Sequence, residues 1–198
     1  MSETEEPKKE KKGSRRKKIV LIIIAIPVLL ILWNLGLDGY RASVNRKVEM
    51  LYESGNYIEA AKVISKGDTG IKILSFGVIK HCRGSGYYSA LIFALAAPED
   101  PSYIAKIETL VAEAEKKKNG FEASSDLALL VVCYAQGRGV AQDMQKAKEL
   151  YNRAIAACDN CYLHGPYGVL DDSLVKEQKE HVYGILAEFG IDTTVFAE

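Results

Sequence analysis

Nineteen consecutive residues, 19–37 (IVLIIIAIPVLLILWNLGL), carry no charge, and no other feature restricts the fold so strongly. A helix of that length, at about 1.5 Å per residue, nearly matches a hydrocarbon layer roughly 30 Å thick. The run predicts one transmembrane helix. Pro27 does not forbid this, because a bilayer helix can satisfy the freed carbonyl locally, and Trp33 falls near the far end, where an aromatic ring suits the interface. Eight Lys or Arg precede the run, whereas Arg41, Arg46 and Lys47 are the basic residues that closely follow it. The positive-inside rule therefore places the N-terminus in the cytoplasm. A cleaved signal peptide has a short basic region, an apolar core of about 7–15 residues and a small-residue cleavage site. Here the basic region is long, the apolar core is longer and no A-x-A pattern follows.

The expected organisation is a basic cytoplasmic tail (1–18), a transmembrane helix (19–37) and an extracytoplasmic domain (38–198). The run KKEKKGSRRKK also fits a nuclear address or an anionic-lipid site. A span that starts directly at Ile19 explains it as a signal that holds the tail inside. The formal net charge of zero is a cancellation: the tail holds eight basic against four acidic residues, which leaves 18 against 22 in the rest. A mildly acidic body has no broad basic field to collect phosphates, so no nucleic-acid partner is expected.

Beyond residue 37 the periodicity is helical. Val44, Val48, Leu51 and Tyr52 share one face, and Gly55-Asn56 then breaks the pattern. Asp100 and Pro101 open a helix whose Ile104, Ile107, Val111 and Ala114 form a buried stripe before Lys116, Lys118 and Asn119-Gly120 close it. Ser173 is a candidate cap for a final helix in which Leu174, Val182, Ile185, Leu186 and Phe189 favour one side, ending at Gly190. Short turns between antiparallel helices predict an all-α fold.

The helices echo one another. From Tyr134 the chain reads Tyr134-x-x-Gly137-x-Gly139-Val140-x-x-Asp143-x-x-x-Ala147-x-x-x-Tyr151-x-x-Ala154-x-x-Ala157. His81-x-x-Gly84-x-Gly86, then Ala90, Ala94 and Ala97, is a shorter echo, and Tyr52-x-x-Gly55-x-Tyr57-x-x-Ala60 is shorter still. Glycines permit positive φ at a turn, Asp143 can cap a second helix, and Ala147 and Ala154 let two helices touch, with Tyr151 filling the remaining space. One hairpin cannot bury both faces, so hairpins of this kind stack and form a curved surface suited to holding a peptide or protein.

The stretch 127–157 resembles a Sel-one-like repeat, a relative of the tetratricopeptide repeat, with Gly137, Gly139, Val140, Asp143, Ala147, Tyr151 and Ala154 at the family's characteristic places. The unit around Gly84 to Ala97 is similar to a degenerate copy, and the helix at 101–118 interrupts the spacing. The predicted span and the resemblance together give the expected fold: an N-terminal transmembrane helix followed by a short α-solenoid of stacked helical hairpins. Small anchored members of the family include immunity proteins that neutralise toxins delivered to the periplasm. The resemblance thus implies a single-pass protein of the bacterial inner membrane whose periplasmic domain binds a secreted toxin or effector. A scaffold for an envelope component or secretion machinery is the alternative role.

Four cysteines, Cys82, Cys133, Cys158 and Cys161, are an even number in a domain expected to face an oxidising compartment, which favours disulfides. Some cysteine-rich members of the resembled family place a disulfide where one repeat passes to the next. Cys158-x-x-Cys161 is similar with a shorter loop, and Cys82 with Cys133 would form the other bridge, though sequence allows three connectivities. A redox-active pair lacks the surrounding βαβ pattern. Cys158, Cys161 and His164 have a spacing that could supply three zinc ligands, with His81 or Cys82 as a distant fourth. A periplasmic thiol or metal-binding protein is therefore the contrasting reading, although paired cysteines already account for the thiols and no metal is expected.

Catalytic motifs are missing from the sequence. Neither glycine pair reaches a third glycine, since Ser89 and Gln142 stand there, and G-x-S-x-G and H-E-x-x-H do not occur. The expected activity is binding, without catalysis, cofactor or small-molecule substrate. Tyr87, Tyr88, Tyr162 and Tyr167 sit near predicted turns and are candidate anchors for the partner, against the plainer role of packing between helices.

Overall fold

The computed structural model describes residues 11–75, 86–159 and 172–196, and of 11–24, 86, 87 and 172 it describes the backbone alone. The described chain is all-helical. It comprises α1 (Lys11–Glu53), α2 (Tyr57–Leu74), α3 (Gly86–Ala96), α4 (Ser102–Lys116), α5 (Gly120–Gln136), α6 (Met144–Asp159) and α7 (Asp172–Glu188). A 3-10 turn, Thr193–Phe196, follows.

Two of the chain reversals use the same device. After α1, Gly55 takes φ +74° and the Asn56 amide donates to the Leu51 carbonyl at 2.9 Å, while Asn56 Oδ1 accepts the Glu59 amide at 3.3 Å. After α4, Lys118 takes φ +54°, the Asn119 amide donates to Ala114 at 2.9 Å, and Asn119 Oδ1 accepts the Glu122 amide at 3.3 Å. Each asparagine thus starts the next helix by binding one of its orphan amides. Asn119-Gly120 therefore opens α5 as well as closing α4, and a lysine occupies the left-handed position.

The stripe of α4 lies where the periodicity predicts: Ile104, Ile107, Val111 and Ala114 are buried, joined by Tyr103 and Leu110. Asp100 Oδ1 accepts the Ser102 amide at 3.0 Å, and Pro101 occupies the cap position. In α7, Val182, Ile185 and Leu186 are buried, Phe189 is half-buried and Leu174 is exposed. The helix begins at Asp172, so Ser173 lies inside its first turn instead of capping it. Gly190, at φ +71°, ends it, with the Ile191 amide donating back to Leu186 at 2.9 Å.

Each helix packs on its successor, except that the contact is passed on at the centre: α3 also packs on α5, and α5 also packs on α7. The composition of α3 explains its place. Its sequence GYYSALIFALA is apolar around the whole cylinder, and Ala90, Ile92, Phe93, Ala94 and Ala96 are buried. Such a helix must be enclosed on several sides. The amphipathic α2 and α4 enclose it, as α4 and α6 enclose α5, where every residue from Ala123 to Cys133 is buried. The sequence echo instead aligned α3 with α6 and treated 101–118 as an interruption. In the structure α3 has the central role of α5, and α4 is its covering partner.

The predicted span 19–37 lies within α1. Side chains of 19–24 are outside the described residues, and among the residues searched no helix is long and apolar enough to cross a membrane. From Ile26 to Leu35 the large apolar side chains are exposed, with Leu29 63% and Leu35 62%. Among the described residues the first buried side chain of α1 is Leu37, which packs against Ile71 of α2 with Tyr40 and Val44 beside them.

Candidate functional site

The residues singled out as repeat-defining build the turn between α5 and α6. Gly137, at φ +68°, caps α5 and its amide donates to Cys133. Gly139, at φ +73°, lies so close to the end of α3 that a Cβ there would stand 2.5 Å from the Ala97 carbonyl oxygen. The Asp143 amide donates to Tyr134 at 2.9 Å, and Asp143 Oδ1 accepts the Lys146 amide at 2.9 Å. Ala147 and Ala154 are fully buried, and Val140 packs at the edge of the core. The Tyr151 ring stacks on Phe196 with centroids 4.9 Å apart. Burial, assisted by a hydrogen bond with Tyr183, pushes its hydroxyl up to about 12. Burial likewise raises the Tyr134 hydroxyl, with the Glu108 carboxylate adding to the effect. These side chains hold a hairpin and its neighbour together; they do not form an open site.

Cys133 and Cys158 carry free thiols, both buried. Their proposed partners Cys82 and Cys161 lie outside the described residues, as do His81, His164, Tyr162 and Tyr167 and the side chain of Tyr87. Burial pushes the Cys133 thiol up to about 12 and also raises Cys158, whose hydrogen bond with Ser124 opposes the shift. A thiol held protonated is a poor nucleophile. Among the described residues no group of three His, Cys, Asp or Glu side chains could hold a metal ion.

Beside Cys158 lies a buried polar cluster that the sequence reading missed. Gln178 of α7, 2% exposed, donates to Ser124 Oγ at 2.8 Å and lies within 3.3 Å of Ser125 Oγ. Both serines donate in turn to the Phe121 carbonyl. Asp126 is buried one residue further along α5. With the Gln178 amide donor and both serine hydroxyls engaged, the cluster fixes α7 to α5.

An open groove of about 360 Å³ lies between α1 and α3. Asn45, Glu49, Tyr52 and Glu53 of α1 line one wall, where spacings of four, seven and eight residues place them on one helix face. Tyr88 and Ile92 of α3, four residues apart, line the other. Tyr52 sits edge-on to Tyr88 at 6.2 Å and tilted against Tyr57 at 5.7 Å. Burial raises the Tyr52 hydroxyl, followed by its two tyrosine neighbours and the Glu188 carboxylate of α7. Of the four predicted tyrosine anchors, Tyr88 is the one whose side chain is described, and it is 44% exposed. A second cleft, between α6 and α7, is lined by Asp159, Lys176, Lys179, Glu180, Val175 and Tyr183. Its charges pair within the cleft, Lys179 with Asp159 at 2.7 Å and Lys176 with Glu180 at 3.8 Å.

No protein-family model, curated protein or solved structure matches the chain.

Proposed function

We propose that this chain is a membrane-anchored binding module: a short α-solenoid that docks another protein along the face formed by α1 and α3. The observation that carries the reading is the groove, where an exposed tyrosine, a half-buried one and two carboxylates stand together on rigid helices. Aromatic side chains with a polar tip are the usual anchors of protein interfaces. The solenoid reading is supported by the passing of contacts from each helix to the next and from α3 to α5 to α7, the pattern of a stack in which each unit touches its neighbours.

The anchor is supported by the exposed apolar side chains of α1 between Ile26 and Leu35. A helix segment that exposes apolar side chains on all sides is stabilised by lipid. Together with the uncharged sequence that begins at Ile19 and the basic tail before it, this favours a single span of the bacterial inner membrane. The tail 1–18 is then cytoplasmic and 38–198 periplasmic. The resemblance of 127–157 to the Sel-one-like repeat favours a secreted toxin or effector as the partner, neutralised by docking. An envelope or secretion component is the other partner class that the same groove would serve.

The toxin reading is tested in cells by directing the product of the neighbouring gene to the periplasm with and without this chain. The proposal predicts death in its absence and growth in its presence. Equal growth in both would refute a toxin as the partner.

A further inference from the structure

The lining of the α1–α3 groove has a chemical bias. Among the described residues its lining is two tyrosine rings, two carboxylates, an amide and an aliphatic side chain, with no positive group. Glu49 and Glu53, and Glu188 near the same tyrosines, form no ion pair among the described residues. Glu49 and Glu53 are also four residues apart on one helix, where like charges repel. Asn45 Oδ1 is shielded from solvent and accepts no hydrogen bond from the described residues. A shielded acceptor left in that state is unfavourable until a donor arrives.

We propose that the groove is a receptor for an arginine side chain of the docked partner, laid against the solvent-facing side of the Tyr52–Tyr88 pair, with Glu49 and Glu53 as counter-charges and Asn45 Oδ1 as a further acceptor. A guanidinium supplies five N–H donors in a planar fork, stacks on aromatic faces and sheds water more readily than an ammonium. Lysine fits less well, because its three donors radiate from a point and its charge is strongly hydrated. The assignment rests on the protein-binding reading and names the partner chemistry that this reading leaves open. It also separates this groove from the α6–α7 cleft, whose lysines already neutralise its acids.

The test uses the full chain in lipid nanodiscs and two tripeptides, acetyl-Gly-Arg-Gly-amide and its citrulline twin, which keeps the shape and loses the charge. The expected result is a saturable shift of the Tyr52 and Tyr88 ring resonances with the arginine peptide and binding at least ten-fold weaker with citrulline. Glu49→Gln with Glu53→Gln, both on the exposed face, is expected to weaken the arginine peptide about ten-fold with unchanged helicity. Tyr88→Phe retains binding and Tyr88→Leu loses most of it. Equal binding of the two peptides, or no saturable shift at these rings, overturns the proposal. A protein partner captured by the wild-type chain and lost with Tyr88→Leu, in the absence of arginine binding, would retain docking and reject the arginine. Arginine binding with no protein docked would retain the site and reject the docking role.

Discussion

Replacing Gly139 by alanine tests the contact on which the stacking of helix pairs depends. The residue has φ +73°, and the added methyl would stand 2.5 Å from the Ala97 carbonyl oxygen and 2.8 Å from the Ala97 Cβ, at the end of α3. The left-handed backbone alone costs an alanine about 1–2 kcal/mol. The collision is with backbone, so the turn between α5 and α6 must move away from α3, and overpacking of that kind adds about 1–3 kcal/mol. Gly137→Ala is the internal control: its φ is +68°, but a Cβ there meets its nearest neighbour at 3.4 Å. The control therefore carries little beyond the backbone cost. Gly139→Ala should destabilise the chain by about 1–3 kcal/mol more than Gly137→Ala, and its Tm should fall further at about 2–4 °C per kcal/mol. The assay is guanidinium and thermal unfolding of the full chain in detergent micelles, followed by ellipticity. Equal losses in the two variants would refute the close approach of the α5–α6 turn to α3.

Three further outcomes follow from the packing. Gln178→Ala removes the donor that ties α7 to Ser124 and Ser125 and should cost about 2–3 kcal/mol in the same unfolding assay; a loss near zero would show that the cluster does not hold α7. The folded Cys133 thiol stays protonated up to about 12, whereas the unfolded chain ionises near 9.0. Its contribution is intact below that lower value and falls by about 1.4 kcal/mol per pH unit above it. Cys133→Ala should therefore lose stability less steeply than the wild type in alkaline titrations, and parallel profiles would contradict the argument. Trp33, the one tryptophan, is 44% exposed on α1; in vesicles its fluorescence should be quenched by lipids brominated on the acyl chain, and an unquenched indole would refute the anchor.

The parts of the fold written locally were readable in the sequence. The α4 stripe and the Gly137, Asp143, Ala147 and Ala154 hairpin depend on residues a few positions apart, and their capping and spacing follow from helix geometry. What depended on distant partners was not readable. Gln178 and Ser124 are 54 residues apart, and a glutamine in an amphipathic helix looks like surface until its partners are known. Glu49 and Glu53 likewise resemble ordinary solvated charge, and only the approach of Tyr88 from α3 turns them into the wall of a groove. The role of α3 was misread for a related reason: its alanines matched the covering helix of the repeat, while its all-round apolarity, which decides burial, was not weighed. The signal for the two asparagine caps was present, since Asn56 and Asn119 each precede a glutamate by three residues.

Photocrosslinking in intact cells tests the central claim most directly. A benzophenone amino acid is placed in the full chain at position 88, in the groove, and at position 152, exposed on α6. Docking through the groove predicts one discrete adduct in the membrane fraction from position 88, lost with Glu49→Gln and Glu53→Gln, and none from position 152. No adduct at position 88, or the same adduct from both positions, would contradict it.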